Sequence, residues 1–266
     1  MRCRSWFTTS TDILASDRKL AFHQGRVQVL QSEGEKLTEL VEKEKNQIDS
    51  ISQIIAVIDK LEEKHNDNNL DMELALRAFQ KLKQEFVVEY QQYQLGYIAS
   101  TVVVPLIKAQ LSTWQPLAGR QENLPIVELF RSWKDVLDDD SVSATVQPGP
   151  DQAMGPYQNL VWETWLPTVR QNINKWSPRQ PESLISFLDL WRPLLPLWVL
   201  GHVLEQIVLP KLQADVELWN PLTDPTPIHA WLHPWLPPLG GRLEIVYPTI
   251  RNKLAKALTN WHPSDR

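Results

Sequence analysis

His229 and His233 stand four residues apart, a spacing that on a helix turns two imidazoles the same way, as a zinc pair requires. Pro234 follows at once, no glutamate supplies a base and no third ligand lies nearby, so a packing or surface role fits them better. The run Asp138, Asp139, Asp140 offers carboxylates to a magnesium ion only if further oxygens converge on it; otherwise it opens a solvated loop. Cys3 is the single cysteine, so an internal disulfide is excluded and the residue reads as an incidental free thiol. There is no glycine-rich phosphate loop and no serine elbow, and Gly240 with Gly241 reads as a turn. Basic residues gather in small groups, Arg170, Lys175 and Arg179 or Arg251, Lys253 and Lys256. Near helix ends they serve as solvated faces and dipole partners, or alternatively contact RNA or an acidic partner. No catalytic, cofactor-binding or metal residue is assigned, and a non-enzymatic chain is expected.

Charge and hydropathy narrow the classes further. Lys and Arg total 27 against 32 Asp and Glu, a net charge of −5, which argues against binding nucleic acid mainly by neutralising phosphates. The longest nearly apolar runs, 102–107 and 194–200, fall far short of the ~20 residues of a membrane span, so no membrane partner is expected. Residues 1–15 carry early arginines with no apolar stretch behind them and do not form a secretory signal.

The elements are written in two different compositions. Residues 1–100 hold one Trp and no Pro, whereas nine of the 12 Trp and 15 of the 20 Pro lie from Pro156 onward. After an unstructured N-terminus over 1–19, apolar residues recur three and four apart at Val27, Leu30, Leu37, Val41, Ile48, Ile51, Ile55 and Ile58. Gly34 and Glu44 are vacant slots in this seam, and the other faces are charged. The spacing predicts a helix over about 20–64, ended by 65–69. A second stripe at Met72, Leu76, Phe79, Leu82, Phe86, Tyr90, Tyr93 and Tyr97 predicts an antiparallel partner. The pair forms a helical hairpin over 20–98, whose seam is either filled by its own two arms or partly left for a partner helix, including a second copy.

From residue 99 the chain repeats itself. Pro105, Trp114 and Pro116 share their offsets with Pro167, Trp176 and Pro178 and with Pro210, Trp219 and Pro221; a fourth copy, Pro248, Trp261 and Pro263, carries four more residues, about one helical turn. Two before, two after and six after each leading proline the residues are apolar: Val103, Ile107, Leu111; Trp165, Val169, Ile173; Val208, Leu212, Val216; Val246, Ile250, Leu254. This helical period runs through the proline, which costs ~3 kcal/mol or more inside a helix. At 100° per residue the proline lies opposite the apolar stripe. The carbonyls it leaves without donors, at Thr101, Glu163, Gln206 and Glu244, face water, and the kink bends the helix around its neighbours. Burying one Trp removes ~150–250 Å² and offsets that cost. Shorter helices over Ile126–Leu137, Ser183–Trp198 and Ile228–Leu236 supply partners. With the polar insert 138–155 set aside, a unit near 40 residues made of two helices predicts an all-α fold of stacked helix pairs, an irregular α-solenoid over 99–266.

The string Trp219-Asn220-Pro221-Leu222-Thr223-Asp224, with Pro227-Ile228-His229, Trp231 and His233-Pro234-Trp235-Leu236-Pro237, resembles the core of the GC-rich sequence DNA-binding factor-like (GCF C-terminal) domain. Trp162-Glu163, Trp165, Pro167, Val169-Arg170 and Trp261-His262-Pro263-Ser264-Asp265 resemble the same family. The likeness runs over about 17–265, weak in the first helix and strong from Tyr157. It implies a nuclear scaffold of pre-mRNA splicing that acts in spliceosome disassembly and intron-lariat release. Partners so implied are spliceosomal proteins and a DEAH-box RNA helicase, which such proteins bind through a glycine-rich G-patch. This sequence contains no G-patch and is expected to be a part of the longer family array, so only the scaffold role carries over; RNA contact is expected to be weak. Two alternatives remain open: a DNA-binding, transcription-factor-like protein, as the family name suggests, and a cytoplasmic helical adaptor.

Overall fold

The computed structural model describes residues 3–67, 69–138 and 154–260, with the side chains of 3–15 and 260 set aside. The chain is all-α, and no strand occurs among the described residues. It divides into two units, Met1–Asn66 and Asp67–Arg266.

The first unit is one helix, α1 (Cys3–Asn66), of 64 residues. At 1.5 Å per residue it runs about 96 Å. It starts well before residue 20, inside the stretch expected to be unstructured: no proline precedes Pro105, and nothing ahead of Gly25 interrupts the helix. The seam is largely open. Val27, Leu30, Leu37, Val41, Ile48 and Ile55 are all more than half exposed, whereas the buried residues are Ile54 and Leu61, with Ile51 and Ile58 half-buried. The covered stripe is thus rotated from the one the spacing suggested. Between 48 and 61 isoleucine and leucine occupy both sides of positions 51 and 58, so periodicity alone could not choose the edge.

In the second unit the stripe from Met72 to Tyr97 does not lie on one helix. α2 (Met72–Glu85) stops at Phe86, whose φ and ψ are −124° and 54°, and α3 (Val87–Gln92) follows. Gln94 then takes a left-handed conformation, φ 51°, before α4 (Leu95–Leu111) begins. This turn brings Gly96 against Pro156, where an added Cβ would lie a tight 3.1 Å from the proline ring and would require the ring to shift by a few tenths of an ångström.

Most of the apolar positions around the leading prolines are buried. In the first three copies the nine apolar positions are all 2% exposed or less, and Val246 and Ile250 are buried in the fourth. Leu254 is the exception at 41% exposed. Pro105, Pro167, Pro210 and Pro248 all lie on the outside. The backbone answers each proline differently from the kinked α-helix expected. Pro105 alone sits within a continuous α-helix, α4. After α5 (Arg120–Leu137) and α6 (Pro156–Leu160), a π turn at Val161–Trp165 leads into α7 (Leu166–Lys175), with Leu166 N–H donating to the carbonyl of Val161. After α8 (Pro181–Trp191) and α9 (Leu197–Val203), a second π turn at Leu204–Val208 leads into α10 (Leu209–Leu218) in the same way. Each π turn widens the helix just before the proline, so that Pro167 and Pro210 start a new α-helical segment, where a missing N–H is tolerated. The buried Thr164 hydroxyl donates to Leu160 O at 2.7 Å inside the first turn.

The helix expected over Ser183–Trp198 is two: Pro193 and Pro196 separate α8 from α9. That over Ile228–Leu236 is likewise short, α11 (Ile228–Leu232), a 3₁₀ turn and α12 (Leu236–Leu239), because Pro234, Pro237 and Pro238 interrupt it. A further 3₁₀ turn over Gly240–Val246 precedes α13 (Tyr247–Asn260), in which Pro248 is the second residue. Trp261, Pro263 and most of the insert 138–155 lie outside the described residues.

Candidate functional site

What the fold positions is a series of tryptophan seats at the ends of the proline-bearing helices. The Trp114 Nε1–H donates to Asn123 Oδ1 at 3.1 Å, and the Asn123 amide donates in turn to the carbonyls of Pro116 and Gly119 at 2.8 and 2.6 Å. The Trp114 ring lies 5.6 Å from Trp191 and 6.0 Å from Phe187. Phe187 stacks on Trp165 with 7° between the planes, and Phe130 meets Trp191 edge-on at 5.2 Å, closing a five-ring cluster. In the second copy the Trp176 Nε1–H donates to Gln180 O at 2.8 Å, and its ring meets Trp235 edge-on at 5.6 Å. Trp219, the third, is 3% exposed, yet its buried N–H has no acceptor and its ring no aromatic neighbour among the described residues.

A charged node fastens the third copy to the second. Arg179, just past Trp176, donates to Asp224 through two nitrogens at 3.0 and 2.7 Å and stands 3.8 Å from Asp215. Its guanidinium lies 4.8 Å from the centre of the Trp231 ring. The Arg179 hydrogen bond, with the Thr226 N–H second, holds the Asp224 carboxyl below the usual aspartate range. The motif Trp219 to Asp224 carries this carboxylate at its end. Asn220 Oδ1 accepts the Leu222 N–H at 3.0 Å and its carbonyl accepts the Asp224 N–H at 2.9 Å, a tight local turn.

Lysines close the carbonyl ends of successive helices. Lys211 donates to Ile173 O and Asn174 O at 2.7 and 2.6 Å, at the end of α7. Lys253 donates to Glu217 O in the last turn of α10 and to Trp219 O just past it at 2.8 Å, and Lys83 donates to Asp135 O at 2.7 Å in the last turn of α5. Each ammonium faces the negative end of a helix dipole. Lys211 follows its proline by one residue and Lys253 by five. The dipole-partner role anticipated for the basic groups therefore describes Lys253, while Arg179 serves an interface. Neither Lys211 nor Lys83 carried a sequence signal, since their acceptors lie 38 and 52 residues away.

On the outer surface Trp162 lies 5.2 Å from Trp198 and 5.1 Å from His202. The His202 Nε2 is 3.2 Å from Arg170, a contact that requires neutral imidazole; partial burial, with Arg170 second, lowers its pKa. His229 and His233 are both exposed, and no group of three or more His, Cys, Asp or Glu able to hold a metal occurs among the described residues. Asp138 accepts from Lys83 through its carbonyl at 3.4 Å and donates its backbone N–H to Lys134 O at 2.7 Å. Asp139, Asp140 and the Cys3 side chain lie outside the described residues.

These features define an all-helical protein whose recurring unit is a tryptophan seat closing a proline-bearing helix. The chain belongs to the GC-rich sequence DNA-binding factor-like family, whose model matches residues 72–266. Over 260 residues it is 39% identical to tuftelin-interacting protein 11 of Danio rerio, 39% to that of Xenopus laevis and 38% to that of Bos taurus. Each alignment takes in 97% of this chain and 30 or 31% of the relative, so the chain spans under a third of their length. Neither the family nor the helical fold points to an enzymatic activity.

Proposed function

We propose that this chain is a non-enzymatic helical scaffold, an irregular α-solenoid, of a nuclear pre-mRNA splicing factor that acts in spliceosome disassembly and intron-lariat release. Its partners are spliceosomal proteins docked along its helices; contact with a DEAH-box helicase is a property of the whole protein, through a G-patch this sequence does not contain. The observation that carries the reading is likeness to tuftelin-interacting protein 11 along 97% of the chain, first arm as well as repeats. The repeated seats support it, because arrays of short helices present extended faces to macromolecules. The test is affinity purification of the tagged chain from nuclear extract. Enrichment of late-spliceosome proteins and nuclear accumulation are expected; a clean purification, or a cytoplasmic chain, overturns the proposal. The family description also names DNA binding. With a net charge of −5, duplex affinity falling steeply with salt is not expected, and a mobility-shift titration checks this.

A further inference from the structure

The uncovered stripe on α1 has a sequence that selects its own partner. Val27, Leu30, Leu37, Val41 and Ile48 are between 52% and 64% exposed, and Ile51 is half-buried. In heptad terms Val27, Gly34, Val41 and Ile48 take one seam position, and Leu30, Leu37, Glu44 and Ile51 take the other. Two of these eight places are not apolar. Gly34 leaves a notch beside Gln31 and Thr38, where an added Cβ would meet nothing within 4 Å, and Glu44 puts an exposed carboxylate on the seam.

Helices running in opposite directions set the first seam position of one against the second of the other, while parallel helices in register set each residue against its own copy. Two copies of α1 laid antiparallel, with Leu37 of each opposite Val41 of the other, pair the seam completely. Val27 meets Ile51, Leu30 meets Ile48, Leu37 meets Val41 and Gly34 meets Glu44, each twice. Every apolar seam residue from 27 to 51 then faces an apolar one, and each carboxylate lies over a glycine, where the missing side chain leaves it a path to water. A slip of one heptad either way puts Glu44 against Val27 or Val41, and the parallel pair sets two Glu44 carboxylates face to face. Leu40, off the seam yet apolar and 54% exposed, meets Leu40 of the other copy across the two-fold axis. Beside the seam Glu33 lies opposite Gln47 and Gln31 opposite Lys45, so these flanking pairs set no like charges together. Burying a Val, Leu or Ile side chain removes roughly 60–120 Å² of apolar surface. The apolar seam residues of both copies together give on the order of 1,000 Å², enough for a specific interface. We infer that α1 is the interface of an antiparallel homodimer, in which segment 27–51 pairs with the same segment of a second copy. The inference rests on this seam and stands or falls apart from any role in splicing.

Sedimentation of the full chain tests the pairing, and substitutions at position 34 test its direction. The wild type is expected to sediment as a reversible dimer that dissociates on dilution through the micromolar range. Leu37→Lys keeps a helix-forming residue but sets a charge against Val41, and it should raise the dissociation constant about tenfold or more. Leu222→Asp, at an exposed site of the second unit, should leave it unchanged. Gly34→Lys and Gly34→Glu introduce equally good helix formers, so the two variants differ in charge alone. Because position 34 faces Glu44, Gly34→Lys should dimerise about tenfold or more tightly than Gly34→Glu; in a parallel pair each would repel itself and the two would dissociate alike. Circular dichroism verifies that the variants keep their helix content. A chain that stays monomeric up to about 100 μM overturns the inference. So does a dimer that Leu37→Lys leaves intact or Leu222→Asp splits, and so do equal dissociation constants for the two variants at position 34.

Discussion

Arg179 is worth more at its position than its charge suggests. It meets a carboxylate with two nitrogens, stands near a second, and lies against an indole, three contacts that lysine's single ammonium cannot make together. Arg179→Lys should therefore lower the melting temperature nearly as far as Arg179→Ala, which thermal denaturation checks. Asp224 makes the pair sensitive to acid. Because its folded pKa lies below the ordinary value of about 4, its contribution is complete above that value and drains away as the pH falls through the lowered one. Asp224→Asn should flatten the stability profile below about pH 4, and a profile as steep as the wild type's would refute the pairing. Trp191 poses a different balance. It is fully buried among four rings, but its N–H has no acceptor among the described residues. Trp191→Ala should cost about 3–5 kcal/mol by denaturant titration. Trp191→Phe should cost far less, because it sheds the unsatisfied donor while keeping most of the apolar area.

Among the elements, the proline-bearing helices separate what periodicity records from what it does not. The positions two before, two after and six after each proline follow from the 3.6-residue period and are buried in nearly every copy. The π turns were illegible because the repeat positions keep the same spacing around Pro105, in a continuous α-helix, as around Pro167 and Pro210, which follow π turns, so that spacing does not record which carbonyl each N–H reaches. The stop of α8 at Trp191 follows from Pro193 and Pro196 once their number is weighed against one helical stripe. The contact of Arg179 with Asp224, 45 residues on, depends on tertiary packing that no local spacing encodes. The backbone difference has a measurable result. Pro105 lies within a regular α-helix, so Pro105→Ala restores a hydrogen bond to Thr101 O and should stabilise the chain by about 1–2 kcal/mol. At Pro167 the π turn has already absorbed the missing donor, and Pro167→Ala should change stability by less than about 0.5 kcal/mol.

At the scale of the molecule the two units should differ in how they hold their amide protons. Along α1 from Leu20 to Asn46 every side chain is exposed, so nothing but local hydrogen bonding retains the helix there. Hydrogen exchange of that stretch in the dilute monomer should be complete orders of magnitude sooner than that of α4, α7 and α10, whose inward residues are sealed. Comparable protection along α1 would mean that the seam is occupied in solution.

The two π turns also bear on how the chain length can vary. Each holds one residue more than an α-helical path between the same flanks needs, a spare link already accommodated. Excising a single residue from 161–165 would straighten the ladder and keep both flanks facing as before, but it would return Pro167 to a helix interior with a carbonyl left wanting. Shortening there trades one irregularity for another, which is a reason for the lengthened form to persist.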